Sequence, residues 1–256
     1  KQPGVRPVGI GEIFRRFLAK VVLLVGGYLA THSGGNHNLC IGLKAGIEGG
    51  VHALRDAWEK DLAGENPHPY QADSQSEPSD NIPDPSMTLT EESDDEQYFT
   101  PEEIDSNSED PFAVLLVDAT NGFNELNRKA MLWTVRHLWP AGARFAFNCY
   151  RHHATLICRK GGNSANCYRL YSKEGVTQGD PLAMVLYGLA MVPLSKQLRE
   201  EFPQVLQAWY ADDAAVEARC SQLGKYQTRL RELGPSRGYY SNSEKSIVIT
   251  RPEDRD

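Results

Sequence analysis

Val205-Leu-Gln-Ala-Trp-Tyr210, then Ala211-Asp212-Asp213, then Ala214-Ala-Val-Glu-Ala218 settles the architecture of this chain. Two apolar runs flank a short polar break, which predicts a β-hairpin with two carboxylates at its tip. Downstream, 221–233 has helical spacing and stops at Gly234-Pro235, and Ser246-Ile-Val-Ile-Thr250 reads as the last strand. Upstream, a helix begins at Pro181, a residue suited to a first helical turn, and runs to about Glu201. Ala154–Cys158 and Tyr168–Tyr171 flank Gly161-Gly-Asn-Ser and predict a second hairpin. Leu126–Leu138 has helical spacing and ends before Pro140. Phe112-Ala-Val-Leu-Leu-Val117 is a continuous apolar run, as in a strand covered on both faces. Two hairpins in a mixed order predict an α+β fold, an antiparallel sheet backed by helices, over a doubly wound one.

Before residue 111 the chain changes character twice. Ile13, Phe14, Phe17, Leu18 and Val21 recur at helical spacing, and Val21–Ala30, too short to span a bilayer, reads as the buried half of that helix. A second helix is expected over 45–59, with Ile47, Val51, Leu54 and Trp58 on one face. Residues 64–110 are rich in Pro, Ser, Asp and Glu and cannot bury enough surface to offset their ordering entropy, so they are expected to be a disordered acidic insertion.

That insertion disguises the charge of the rest. The formal net charge is −7, but 61–110 holds 16 acidic residues and no Lys or Arg. Without it, 27 basic face 18 acidic residues, a net of +9, the balance expected of a chain that handles phosphate backbones. Five cysteines without a Cys-x-x-Cys pair argue for reduced thiols in a cytoplasmic or nuclear setting, not secretion, and against zinc at Cys149, Cys158 and Cys167. Trp133, Trp139 and Trp209 are expected in the core, and His152-His153 at a hairpin edge.

Asp118 lies where the apolar run 112–117 ends, and Asp212 and Asp213 lie at the hairpin tip. Carboxylates at strand ends are exposed on a rigid backbone. Side by side they suit hard cations such as Mg²⁺, and two such ions can drive phosphoryl transfer. Each element alone is commonplace; their order along the chain is the informative feature.

Here the sequence resembles the reverse transcriptases, above all those of retrotransposon-like elements. Val117-Asp-Ala-Thr-Asn-Gly-Phe-Asn124 resembles their motif A, Glu174-Gly-Val-Thr-Gln-Gly-Asp-Pro-Leu182 motif B, and Trp209-Tyr-Ala-Asp-Asp-Ala214 motif C. Gly238 to Lys245 resembles motif D, and the segment around Arg6-Pro7 a fingers motif. The resemblance implies an RNA-directed DNA polymerase, with partial fingers over 1–63 and a palm with motifs A to D over 111–256. The family's thumb has no room and is expected to be missing. Implied partners are an RNA template, a DNA primer and dNTPs, with no membrane. The implied cofactor is a pair of Mg²⁺ ions, with Mn²⁺ as a substitute.

The resemblance also assigns roles. Asp118 and Asp212 would hold both metals, Asp213 would assist, and the Ala119 carbonyl would complete one shell. Gln178 and Gly179 would contact the nucleotide, Arg6 its phosphates, and Lys245 the leaving pyrophosphate as proton donor. Phe123 would occupy the space of a ribose 2′-hydroxyl and so favour dNTPs. Gly122, at a position often filled by Ala, reads as a harmless exchange. The competing expectation is a truncated, inactive retroelement remnant that only binds nucleic acid.

Overall fold

The computed structural model describes residues 9, 11–34, 37–62, 110–159, 167–251 and 254. Arg6 and the predicted insertion up to residue 109 lie outside these. The described elements are α1 (Ile13–Gly34), α2 (Gly46–Leu62), β1 (Phe112–Val117), α3 (Gly122–Glu125), α4 (Arg128–Leu138), α5 (Pro140–Tyr150), β2 (Ala154–Arg159), β3 (Cys167–Ser172), α6 (Ala183–Glu201), β4 (Leu206–Tyr210), β5 (Asp213–Arg219), α7 (Cys220–Leu233) and β6 (Ile247–Thr250). A 3₁₀ turn, Gly234–Arg237, follows α7.

Four strands form one antiparallel sheet in the order β4-β5-β1-β6, and β2 and β3 form a separate two-stranded sheet. The predicted β4–β5 hairpin is present, with Tyr210 opposite Asp213. Val117 lies opposite Ala214, so the end of β1 and the hairpin tip share one end of the sheet. The mixed helix-and-sheet architecture with an antiparallel sheet agrees with the sequence.

One face of the sheet carries the core. Ala113, Leu115 and Val117 of β1, Trp209 of β4 and Val216 and Ala218 of β5 are buried there. Helix α6 is apolar nearly all round and is correspondingly buried, with Leu186, Tyr187, Leu189, Ala190 and Met191 all inaccessible. Each such large side chain contributes about 1.5–3 kcal/mol by leaving water. A buried amide ties sheet to helices. Gln207 Oε1 accepts from Trp209 Nε1 (2.8 Å) and from the Tyr226 hydroxyl of α7 (2.9 Å), and its Nε2 donates to the Ser195 carbonyl of α6 (3.3 Å). Every polar atom of that amide is used, which is what makes its burial tolerable.

The helix expected to end before Pro140 does so, at Leu138, and Pro140 opens a further helix, α5, as a first-turn residue. Three expectations need correction. β1 is covered on one face in the main, with Leu116 exposed. Trp133 is 63% exposed, whereas Trp139 and Trp209 are buried. Helix α1 buries its small residues, Ala19, Gly26, Ala30 and Gly34, while Ile13 (80%) and Leu24 (85%) are exposed. The small face permits close approach: a Cβ on Gly34 would overlap Ile41, and Trp139 Nε1 donates to the Gly26 carbonyl at 2.8 Å. Among the described residues no helix is long and apolar enough to cross a membrane.

Candidate active site

The cleft begins with backbone pairing beyond the end of β1. Asn242 N donates to the Asp118 carbonyl and Thr120 N to the Tyr240 carbonyl, both at 2.7 Å, around an isolated bridge between Ala119 and Ser241. This anchors the turn at 242–246, where Lys245 N and Ser246 N both donate to the Asn242 carbonyl. Lys245 is thereby carried over the end of β1, and its Nζ lies 3.3 Å from Asp118 Oδ2. The pair is a charge contact without hydrogen-bond alignment, since that buried oxygen has no hydrogen-bond partner. Lys245 is half exposed, so the contact adds about 1 kcal/mol or less to stability.

Asp212 arrives on the β4–β5 turn. Ala211 precedes it in the left-handed region at φ 53°, a conformation that costs a residue with a Cβ about 1–2 kcal/mol. A side chain absent from the sequence reading holds that turn. Buried Asn38 donates from Nδ2 to the Ala211 carbonyl, and its Oδ1 accepts from Ala211 N, both at 3.1 Å. Leu39 N donates to the Trp209 carbonyl at 2.8 Å, so the segment after α1 braces both sides of the turn.

The third wall is the loop before α6. Val176 N donates to the Phe123 carbonyl at 2.7 Å and Gly175 N to the Leu126 carbonyl at 2.8 Å, joining this loop to the turn after β1. Gly179 adopts φ 101°, open to glycine and strained for other residues. Asp180 fixes the loop's end. Its Oδ2 accepts from the Arg15 guanidinium (2.5 Å) and the Tyr150 hydroxyl (2.7 Å), and its Oδ1 accepts from Leu182 N (3.0 Å). Burial, with Asp180 beside it, pushes the Tyr150 hydroxyl up, so it remains a donor. Arg15 lies 5.0 Å from the Tyr150 ring centre.

Asp118, Ala119, Phe123, Gln178, Gly179, Asp212 and Lys245 all line one cleft of about 350 Å³. The sequence named these seven, and the fold brings them together from four separate segments. Asp213, the first residue of β5, is exposed and is not among the lining residues. Arg6 lies outside the described residues. The Phe123 ring stacks on Tyr187 of α6, centroids 4.7 Å apart and 18° from parallel. Burial, with Asp212 and Cys40 nearby, holds the Tyr187 hydroxyl well above its usual pKa, and it has no hydrogen-bond partner.

Gly122 is not interchangeable with Ala here. A Cβ would fall 2.7 Å from both Asp212 Cβ and the Tyr187 hydroxyl. Asn38, Arg15, Tyr150 and Tyr187 escaped the sequence reading. Asp180 stood within a motif, but nothing in sequence order links it to Arg15.

The cleft suits a hard cation by donor type. It offers carboxylates and a backbone carbonyl, and one buried carboxylate oxygen, Asp118 Oδ2, has no hydrogen bond. Three carboxylates line the cleft, Asp118, Asp180 and Asp212, and Asp180 is engaged by Arg15 and Tyr150.

A 142-residue stretch is 24% identical to the retrotransposable element SLACS 132 kDa protein of Trypanosoma brucei gambiense, covering 54% of this chain. The fold superposes on apo telomerase from Candida tropicalis with a TM-score of 0.55 at 13% identity, over 93% of this chain. The fold is reverse-transcriptase-like. No protein-family model matches the sequence. The chain spans 12% of the retrotransposon protein and 37% of the telomerase chain.

Proposed function

We propose that this reverse-transcriptase-like domain is an RNA-directed DNA polymerase that adds dNMP to a primer 3′ end. The observation that carries the reading is the convergence of Asp118 and Asp212, from two separate strand ends, on one cleft with Phe123 and Gln178. In this reading 111–256 is the palm and the helices before it belong to the fingers. Asp118 and Asp212 hold Mg²⁺, with Mn²⁺ as a substitute, and Asp213 supports the turn from outside the cleft. Mg²⁺ is commonly held by one or two carboxylates together with substrate phosphates, which suits Asp118 and Asp212, since Asp180 is already engaged by Arg15 and Tyr150. When bound, such ions activate the attacking hydroxyl and stabilise the leaving oxygen.

The chain's own residues supply the rest. The Ala119 carbonyl adds an oxygen beside Asp118. Gln178 and Gly179 seat the incoming base and sugar, Arg6 takes its phosphates, and Lys245 gives a proton to the departing pyrophosphate. The Phe123 ring, backed by Tyr187, fills the space a 2′-hydroxyl would need. The template is RNA, the primer DNA, and the monomers dNTPs.

Primed poly(rA) with oligo(dT), dTTP and Mg²⁺ tests this. Metal-dependent extension that disappears in Asp212→Asn is the expected result. A chain that retains oligonucleotide binding and never extends, with the rest of its natural polypeptide restored, is a remnant and not a polymerase.

A further inference from the structure

Hairpin β2–β3 stands apart from the main sheet. A lone pair of strands is at best marginally stable in water, yet this one exposes Tyr171 (60%) and Ile157 (67%). Its base is what is fixed. The buried Arg128 guanidinium donates to the Ser172 carbonyl (2.8 Å), the Ser172 hydroxyl (2.7 Å) and the Gly175 carbonyl (2.7 Å). The hairpin is thus a ribbon rooted firmly at one end, with Thr155, Ile157 and residues 167–171 exposed.

The register pairs Thr155 with Tyr171 and Ile157 with Arg169. Alternation along the strands puts these four side chains on one face, and all four are exposed. Charge identifies what would cover them. From 151 to 173 the chain carries Arg151, Arg159, Lys160, Arg169 and Lys173 with two histidines, and no Asp or Glu. Five of the chain's 27 basic residues thus fall in one short stretch without an acidic one, a local bias toward a polyanion. Cations that meet phosphates, beside an aromatic ring free to stack on a base, are the two parts of a single-strand binding surface.

We propose that the Thr155–Ile157–Arg169–Tyr171 face binds a single nucleic-acid strand. Tyr171 stacks on a base, and Arg169, with Lys173 at the root, meets the phosphates. The proposal rests on the polymerase reading only in making that strand the template. Gln178 follows Tyr171 by seven residues, at most about 25 Å of extended chain, so a strand held there is kept close to the cleft.

The whole chain, wild type and variants, is titrated against labelled oligo(rU) by fluorescence anisotropy across about 50–200 mM salt. Tyr171→Ala should weaken binding about fivefold to a hundredfold. Arg169→Ala should reduce the salt-dependence slope by about 0.7, while Arg169→Lys keeps it. These positions are exposed, so melting curves should superimpose and loss of fold is excluded as the cause. Unchanged affinity and slope in the variants overturn the proposal. So does a result in which Ile157→Asp dissolves self-association while oligo(rU) binding persists, which assigns the face to a second copy. Primer extension is scored separately. A chain that extends primers but binds oligo(rU) alike with and without the substitutions loses this proposal and keeps the polymerase. A chain that never extends, but loses oligo(rU) on substitution, does the reverse.

Discussion

The side-chain amide of Asn38 grips both backbone polar groups of Ala211, at 3.1 Å each, although 173 residues separate them. Ala211 is the strained residue of the turn that carries Asp212, so the amide holds in place a conformation the turn would otherwise relax. Asn38→Ala leaves a buried N–H and a buried carbonyl without partners, at about 1–3 kcal/mol each. The expected outcome is a lower urea midpoint together with a higher Mg²⁺ concentration for half-maximal primer extension. An unchanged Mg²⁺ requirement in the folded variant would show that the clamp does not position Asp212.

Gly122 tests how closely the cleft is built. The added methyl of Gly122→Ala meets Asp212 at its Cβ, which cannot swing aside as a side-chain tip can, and the Tyr187 hydroxyl on the other side. Overpacking of this kind costs about 1–3 kcal/mol of stability. Displacing a catalytic carboxylate by a fraction of an ångström to an ångström costs up to roughly a hundredfold in rate. Adding Tyr187→Phe removes one of the two close contacts and should recover part of that loss. Wild-type extension by Gly122→Ala alone would refute this geometry.

Phe123 and Tyr187 form one stacked unit, on which the proposed sugar discrimination would rest. Phe123→Val should raise rNTP use relative to dNTP by about tenfold or more, which corresponds to some 1.4 kcal/mol of differential transition-state binding. Tyr187→Leu leaves Phe123 in place but removes the stack behind it. A stacked pair is worth about 0.5–1.5 kcal/mol, so a smaller relaxation, roughly twofold to tenfold, is expected. Competition between dTTP and UTP on one template measures both. Unaltered discrimination in an active Phe123→Val enzyme would remove the gate.

What the sequence disclosed and what it hid divide along a physical line. The β4–β5 hairpin and its carboxylates were legible because turn, strand and alternation are local. Helix α6 was legible because Pro181 and a long apolar run lie together. Helix α1 was misjudged because periodicity identifies apolar residues without saying which neighbour arrives; Trp139 and Ile41 select its small face. The supports of the cleft were hidden for the same reason. Arg15 meets Asp180 across 165 residues, and only the completed fold makes that pair visible.

Lys245 permits a distinction that stability cannot provide. Its Nζ lies 3.3 Å from Asp118 Oδ2, and the pair is open enough to water that Lys245→Met should alter unfolding by about 1 kcal/mol or less. If its role is proton donation to the leaving group, the rate should fall by about 10²–10⁴. Lys245→Arg then separates charge from proton transfer. Arg keeps the positive charge beside Asp118 but holds its proton at every working pH. Proton donation requires that Lys245→Arg be as slow as Lys245→Met in single-turnover extension. Recovery of the rate by Arg would mean that Lys245 acts only as a charge, balancing Asp118 and the phosphates, and that the proton comes from elsewhere.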